Sequence, residues 1–323
     1  MKLFLYSLLM VLLAPVFLLG YPFYQFPLLL QRGKVSGTAY EPFNGRLLYH
    51  LWGSRPDAAA MQLARGLPAT NRVFLNLLVR PIIWASRITG YIPGFLEYPP
   101  PRPTPMSAII GARCEFLDKA MLDQVSGGDQ VVILGAGWDT RAYGLLKGKD
   151  VTIFEVDASP TQLVKLSAID KTGLDASHVT FVSCDFNRQS WLDALNENGF
   201  DPDKRTFILW EGVTMYLEEQ AIQGTLRTVS TLPAGSSIAF DFFSREWLED
   251  TLTGKMARWG VKAIYGEPFL FGFPVTPNFS ERLEAYLNEY NLTLDSNRPL
   301  GDESGLPYGG LLLAVKPCSD RSC

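Results

Sequence analysis

The sequence predicts an α/β fold: a Rossmann-like, mostly parallel sheet covered by helices, preceded by a helical cap and an apolar leader. Three observations predict it. From residue 107 onward, short apolar runs alternate with helical stretches, which is the pattern of βαβ units in a parallel sheet. The first of these runs ends in Gly135-Ala136-Gly137, a turn where the backbone can approach a ligand closely. Asp157, Asp185 and Glu211 stand at the ends of the next three runs, and the carboxyl ends of parallel strands are where such sheets bind ligands.

Residues 1–30 form the leader. Residues 3–20 carry no charge and 21–30 continue the apolar character, a length sufficient to span a bilayer. Only Lys2 precedes it, whereas Arg32, Lys34 and Arg46 follow, which places the bulk of the protein on the cytoplasmic side of a membrane. Gly20-Tyr21-Pro22 is a poor signal-cleavage site, so a retained transmembrane anchor is expected. The alternatives are a cleaved signal or a peripheral hairpin, the latter leaving a cytoplasmic protein. Pro15, Pro22 and Pro27 are expected to kink the segment.

Residues 31–105 form a cap and linker. Within them 73–85 is apolar on both faces and reads as a buried cap helix rather than a membrane-dipping one. Residues 98–105 hold five prolines in eight positions and must be extended. The third region, 106–323, is the α/β domain. It opens with a helix over 107–123 with Ser107 as N-cap. Strands follow at 130–134, 151–156, 179–184, 206–210 and 236–242, with helices at 140–146, 160–169, 189–196, 218–231 and 279–290. A late strand is expected at 311–315, and 244–277 reads as an insertion.

Composition narrows the function. With 47% hydrophobic and 19% charged residues the chain has material for an ordinary packed core. Its 29 basic and 33 acidic residues give a net charge of -4 without any dense Lys/Arg run, which argues against a nucleic-acid partner. The cysteines, Cys114, Cys184, Cys318 and Cys323, lack zinc-ligand spacing and disulfide-scaffold density; no metal is expected, and a reducing compartment suits them.

The glycine turn alone does not choose a cofactor. A dinucleotide fingerprint needs a glycine three residues after Gly137, and Thr140 stands there. Nicotinamide binding is therefore demoted. Asp157 lies 22 residues after Gly135 at a strand tip, where a carboxylate can accept both hydroxyls of a ribose; its bland role would be a helix N-cap before Pro160. Asp185 and Phe186 suit an adenine amine and ring face, although an acid there is commonly a turn residue. With Glu211 across the turn, the three acids make an electronegative cleft suited to an adenosine bearing a sulfonium.

At this point the chain resembles the leucine carboxyl methyltransferase-like, S-adenosylmethionine-dependent methyltransferases. The matching segments are ARCEFLD (112–118), VVILGAGWDTRAYGL (131–145), FEVDASPTQLVKL (154–166), SCDF (183–186), WEGVTMYL (210–217) and GEPFLFGF (266–273). The resemblance implies a class I methyltransferase sheet, mostly parallel with a late antiparallel strand. It also implies S-adenosylmethionine as methyl donor, with Arg113 on its carboxylate, Gly135 against its methionine part, Asp157 on the ribose, Asp185 and Phe186 on the adenine and Glu211 on the amino group. Tyr216 becomes a pocket-lining candidate, and no catalytic residue is assigned. GEPFLFGF is similar to the broad microbial branch, while the leader and the proline-rich lead-in depart from the phosphatase-modifying members.

The expected activity is O-methyl transfer to a carboxylate or hydroxyl of a small or lipid-like acceptor, with membrane association through residues 1–30. A protein C-terminal carboxyl group is an alternative acceptor. A nicotinamide oxidoreductase and a non-catalytic membrane-tethered binding protein are alternative classes. The chain has two histidines, His50 and His178, and this scarcity leans toward an acceptor that is already acidic. His178 precedes a strand and reads as structural; His50 lies in the cap without an assigned role. The acceptor pocket is expected from the cap and the insertion, whose aromatics Trp247, Trp259, Tyr265, Phe269 and Phe271 suit an apolar acceptor or ordinary packing equally.

Overall fold

A computed structural model describes residues 1–301 and 305–318. The cap consists of α1 (Lys2–Leu12), α2 (Ala14–Gln31), α3 (Tyr40–Trp52), α4 (Ala58–Ala64), α5 (Arg72–Phe74), a π-helical turn (Leu75–Val79) and α6 (Arg80–Thr89). The remainder runs α7 (Ile109–Gln124), β1 (Gln130–Leu134), β2 (Thr152–Asp157), α8 (Ser159–Thr172), β3 (Val179–Ser183), α9 (Trp191–Asn196), β4 (Thr206–Trp210), α10 (Glu219–Thr231) and β5 (Ser237–Phe243). It closes with α11 (Arg245–Asp250), α12 (Leu252–Tyr265), α13 (Phe279–Asn288), β6 (Thr293–Leu300) and β7 (Gly309–Val315).

The seven strands form one sheet in the order β3-β2-β1-β4-β5-β7-β6. β1 to β5 are parallel, and β7 runs antiparallel between β5 and β6. The chain reverses its lateral direction between β1 and β4, which opens a crevice at their carboxyl ends. Strand periodicity divides the core in two. Val131 and Ile133 of β1 face α7, α8 and the cap, whereas Val132 and Leu134 face α9, α10 and α13. The first cluster joins Tyr40, Phe43 and Leu63 of the cap to Leu209 of the sheet, so the hydrophobic core is continuous across residue 105. The proline-rich stretch is not extended throughout, since it bends at residues 98–99 and 102–103, where Tyr98–Pro99 and Arg102–Pro103 are cis; Thr104 bridges Gly301.

Several elements differ from the sequence expectation. The helix expected over 140–146 is a single 3-10 turn, Arg141–Tyr143, because Gly144 leaves the helical region (φ −124°, ψ −77°) and Arg141 is drawn into buried ion pairs. Ser107 does not cap α7; it sits in the 3-10 turn Met106–Ala108, and Ala108 is the N-cap. β6 has no apolar alternation to betray it, as suits an edge strand that carries Pro299 and a bulge between Leu294 and Ser296. The 73–85 stretch buries Phe74, Leu75, Val79 and Ile83 but leaves Trp84 54% exposed. The leader is two helices bent by 63°, and no single helix among the described residues is long and apolar enough to cross a membrane. α1 packs on α6 and α2 on the π-helical turn, with Gly20 pressed against Leu77 and Leu78. Cys114 and Cys184 are free and buried, whereas Cys318 is disulfide-bonded.

Candidate active site

The carboxyl ends of β1, β2 and β4 and the start of the β3–α9 loop open onto a cavity of about 1070 Å³, larger than a pocket for one drug-sized molecule requires. Arg113, Gly135, Gly137, Asp157, Asp185, Phe186, Glu211 and Tyr216 all line it. The sequence reading therefore named residues that the fold brings to one place.

The glycine turn is compelled by sterics. Gly135 has φ +64°, and a Cβ there would overlap Val213 Cγ2. The Gly137 N–H donates to Asp157 Oδ2 at 2.5 Å, and Asp157 Oδ1 accepts the Ala158 N–H at 2.6 Å. Asp157 is thereby fixed beside the turn, and it is not the N-cap of α8, which is Ala158. Burial pushes its carboxyl up to about 6, against the lowering effect of the Gly137 and Ala158 N–H groups. Asp185 keeps a turn role as well as its place on the wall: it accepts the Asn187 N–H at 3.1 Å and pairs with Arg188 at 3.3 Å.

Behind the turn lies a buried ion network. Glu211 Oε2 accepts from Arg46 Nη2 at 2.6 Å and from Arg141 Nη1, and Arg113 Nε stands 3.3 Å from Glu211 Oε1. Arg46 also bonds Asp139 at 2.8 Å, Arg141 bonds Asp139 and Asp118, and Arg55 bonds Asp118 at 2.7 Å and Asp57 at 3.1 Å. Arg113 Nε lies 3.4 Å from Asp241. Burial would raise the Glu211 carboxyl, but Arg141, Arg46 and Arg113 outweigh it and hold it at about 2. Asp139 is likewise held well below the carboxylate range, desolvation being overcome by Arg141 and Arg46. Arg46, Arg55, Arg113 and Arg141 thus face Asp57, Asp118, Asp139, Glu211 and Asp241, a formal excess of one negative charge. Five buried atoms of the network make no hydrogen bond, Arg46 Nε, Arg113 Nε, Arg113 Nη2, Arg141 Nη2 and Glu211 Oε1, and of these residues Arg113 and Glu211 stand side by side on the cavity wall. A guanidinium N–H and a carboxylate oxygen left open on one cavity wall fit a ligand carrying both a carboxylate and an ammonium.

The other half of the cavity is mostly apolar, with Met106, Ile109, Phe243, Trp247, Ala257, Val261 and Phe269 on its walls. Of its polar residues, Glu41 and Glu267 were not singled out from the sequence. Glu41 lines the cavity and accepts a hydrogen bond from Tyr265 Oη at 3.1 Å. Its side chain is exposed, yet desolvation by the surrounding cavity wall raises its carboxyl, an effect eased by Tyr265 and Arg113 and reinforced by Glu267. Glu267 accepts from Gly37 N at 2.7 Å and Thr38 Oγ1 at 2.6 Å, which ties the 36–38 loop to the insertion. Tyr216 packs on Phe269 with ring centroids 5.4 Å apart, and burial raises its phenol. The insertion aromatics divide between roles: Trp247 and Phe269 line the cavity, Phe271 belongs to the sheet core, Tyr265 holds Glu41, and Trp259 is 72% exposed. Neither histidine reaches the cavity. His178 Nε2 lies 2.9 Å from the Ala142 carbonyl, and His50 Nδ1 accepts the Asp57 N–H at 2.9 Å.

The network residues had sequence signals of uneven strength. Asp139 and Arg141 sit in the VVILGAGWDTRAYGL segment, where charges next to a buried strand ask for partners. Arg46 in an amphipathic cap helix gave none.

A reversed parallel sheet with a glycine turn, strand-tip acids and a pocket open to an amino acid moiety defines the class as a Rossmann-like methyltransferase using S-adenosylmethionine. The leucine carboxyl methyltransferase family model matches residues 94–230. A candidate S-adenosyl-L-methionine-dependent methyltransferase of Mycolicibacterium paratuberculosis is 32% identical over 232 residues, covering 68% of this chain and 82% of that protein. One of Mycobacterium avium is 32% identical over 213 residues, covering 62% and 68%. This chain belongs to the leucine carboxyl methyltransferase family of S-adenosylmethionine-dependent methyltransferases. Among solved structures, magnesium protoporphyrin IX methyltransferase from Synechocystis is similar over 62% of this chain and 80% of its own, with 11% identity and a TM-score of 0.41. The nicotinamide alternative is set aside by the family.

Proposed function

We propose that the chain methylates a hydroxyl oxygen on an apolar acceptor, with S-adenosylmethionine bound by the residues read from the sequence. The observation that carries the acceptor chemistry is Glu41, a carboxylate on the wall of the mostly apolar half of the cavity. With Glu267 close enough to raise it further, that wall repels an anionic acceptor and suits a hydroxyl whose proton must be taken. This shifts the balance from the carboxylate acceptor that histidine scarcity favoured.

In this reading Arg113 holds the donor carboxylate, Glu211 its ammonium, Asp157 the ribose hydroxyls, and Asp185 with Phe186 the adenine. The cradle of Gly135 and Gly137 leaves room for the backbone to approach the methionine part. The donor supplies an electrophilic methyl on a sulfonium, and it carries one net positive charge that complements the network's negative excess. Glu41, whose carboxyl is raised above its ordinary value by the cavity wall and by Glu267, accepts the hydroxyl proton as the oxygen gains the methyl group. The apolar walls exclude water and hold the acceptor oxygen in line.

The test is transfer of labelled methyl from S-adenosylmethionine into cell extracts, followed by alkali. Alkali-stable label in an apolar small molecule supports an ether product. Label released as methanol overturns the hydroxyl acceptor, and such release from the protein fraction identifies a protein carboxyl group instead.

A further inference from the structure

The large exposed apolar side chains are concentrated on a few elements. Leu3, Phe4, Leu18, Leu19, Phe23 and Phe26 are exposed on α1 and α2, Trp84 and Ile88 on α6, and Leu252, Met256, Trp259 and Ile264 on α12. The segments are physically joined. Tyr6 of α1 packs on Tyr91 after α6, with ring centroids 5.0 Å apart, and at the other end of the leader Arg32 Nη2 donates to the Lys262 carbonyl of α12 at 3.3 Å.

Charge follows the same division. Residues 1–40, 58–96 and 251–266 hold ten of the chain's 29 basic residues and none of its 33 acidic ones. The rest of the chain therefore holds 19 basic against 33 acidic residues. Arg72, Arg80, Arg87, Lys255, Arg258 and Lys262 are all exposed. An apolar surface fringed mainly by cations, with exposed acids only at the ends of α12 in Glu249, Asp250 and Glu41, matches an anionic lipid surface. A second copy of the chain would bring these cations against each other, which disfavours self-pairing.

α12 has two functional faces. Thr253, Ala257 and Val261, at helical spacing, line the cavity, while Leu252, Met256 and Trp259 are exposed. We propose that the leader and α12 seat the protein in the interfacial region of an anionic bilayer, with α12 as the wall between lipid and acceptor chamber, so that the acceptor is a membrane amphiphile. The chamber's role rests on the proposed function. The 63° bend between α1 and α2 and their packing on the cap suit a seat in the interface better than a straight span.

The test is flotation of the full-length protein with phosphatidylcholine vesicles, with or without phosphatidylglycerol. The wild type should float with the anionic vesicles and much less with the neutral ones. Met256→Glu/Trp259→Glu should lower the floated fraction about tenfold, the loss expected from placing carboxylates in the interface. Lys255→Gln/Arg258→Gln/Lys262→Gln, which leaves the apolar face whole, should bind both vesicle types equally weakly. S-adenosylhomocysteine affinity measured on each variant reports its folding and is expected to be unchanged. Equal flotation of wild type and both variants overturns the role of α12. Equal wild-type binding to neutral and anionic vesicles overturns the lipid class, and resistance to alkaline carbonate extraction from native membranes overturns the interfacial seat. Absence of donor binding would overturn the methyltransferase reading and leave the flotation result standing.

Discussion

Replacing Arg46 by methionine tests the ion network that carries the site. Arg46 donates to Asp139 at 2.8 Å and to Glu211 at 2.6 Å, and its side chain is 3% exposed. Glu211 is held at about 2, against an ordinary value of 4.5, by Arg141, Arg46 and Arg113 acting against desolvation. That depression corresponds to about 3 kcal/mol of pairing shared among three arginines. Arg46 also carries part of Asp139, so its loss should cost about 3 kcal/mol, at the lower end of what breaking a buried ion pair costs. The sign follows from the lowered carboxyl. Its contribution is fully present above pH 4.5 and is lost as pH falls toward 2. Thermal unfolding followed by circular dichroism should therefore show Arg46→Met melting roughly 4–5 °C below wild type at pH 7, and the gap should narrow at pH 3. A loss below about 1 kcal/mol, or a gap as wide at pH 3 as at pH 7, would refute the reasoning.

Three further outcomes follow from the same geometry. With the Asp157 carboxyl at about 6, S-adenosylhomocysteine should bind about tenfold more weakly at pH 5 than at pH 8, and Asp157→Asn should bind weakly with a flat profile by calorimetry. Gly135→Ala should abolish detectable donor binding, because φ is +64° and the new methyl overlaps Val213; Gly135→Ala/Val213→Ala should recover part of it, and no recovery would separate backbone strain from the clash. Glu41→Gln should lower turnover by about 10²–10⁴-fold while donor affinity stays within about threefold; unchanged turnover would exclude Glu41 as the base.

The sheet was legible because β1, β2, β4 and β5 are largely buried on both faces and read as apolar runs, and because Gly135 and the strand-tip acids mark the carboxyl ends of the parallel strands. β6 was not legible: an edge strand bearing Pro299, Asp295 and Asn297 lacks the alternation that reveals a strand. The 140–146 helix was misread since its local pattern is helical, and only the tertiary pairing of Arg141 with Asp118, Asp139 and Glu211 shows why the chain turns away. The donor half of the cavity came from motif residues near one another in the sheet. The acceptor half came from Glu41, Tyr265 and Glu267, brought together from positions over two hundred residues apart, and periodicity carries no information at that separation.

Calorimetric titration of the full-length protein with S-adenosylmethionine, alongside NAD, tests the central claim most directly. The account predicts binding of S-adenosylmethionine, no binding of NAD, and at least about a hundredfold loss of affinity in Arg113→Met, whose Nη2 is otherwise left without a partner. Binding of NAD in place of S-adenosylmethionine, or full affinity in Arg113→Met, would contradict it.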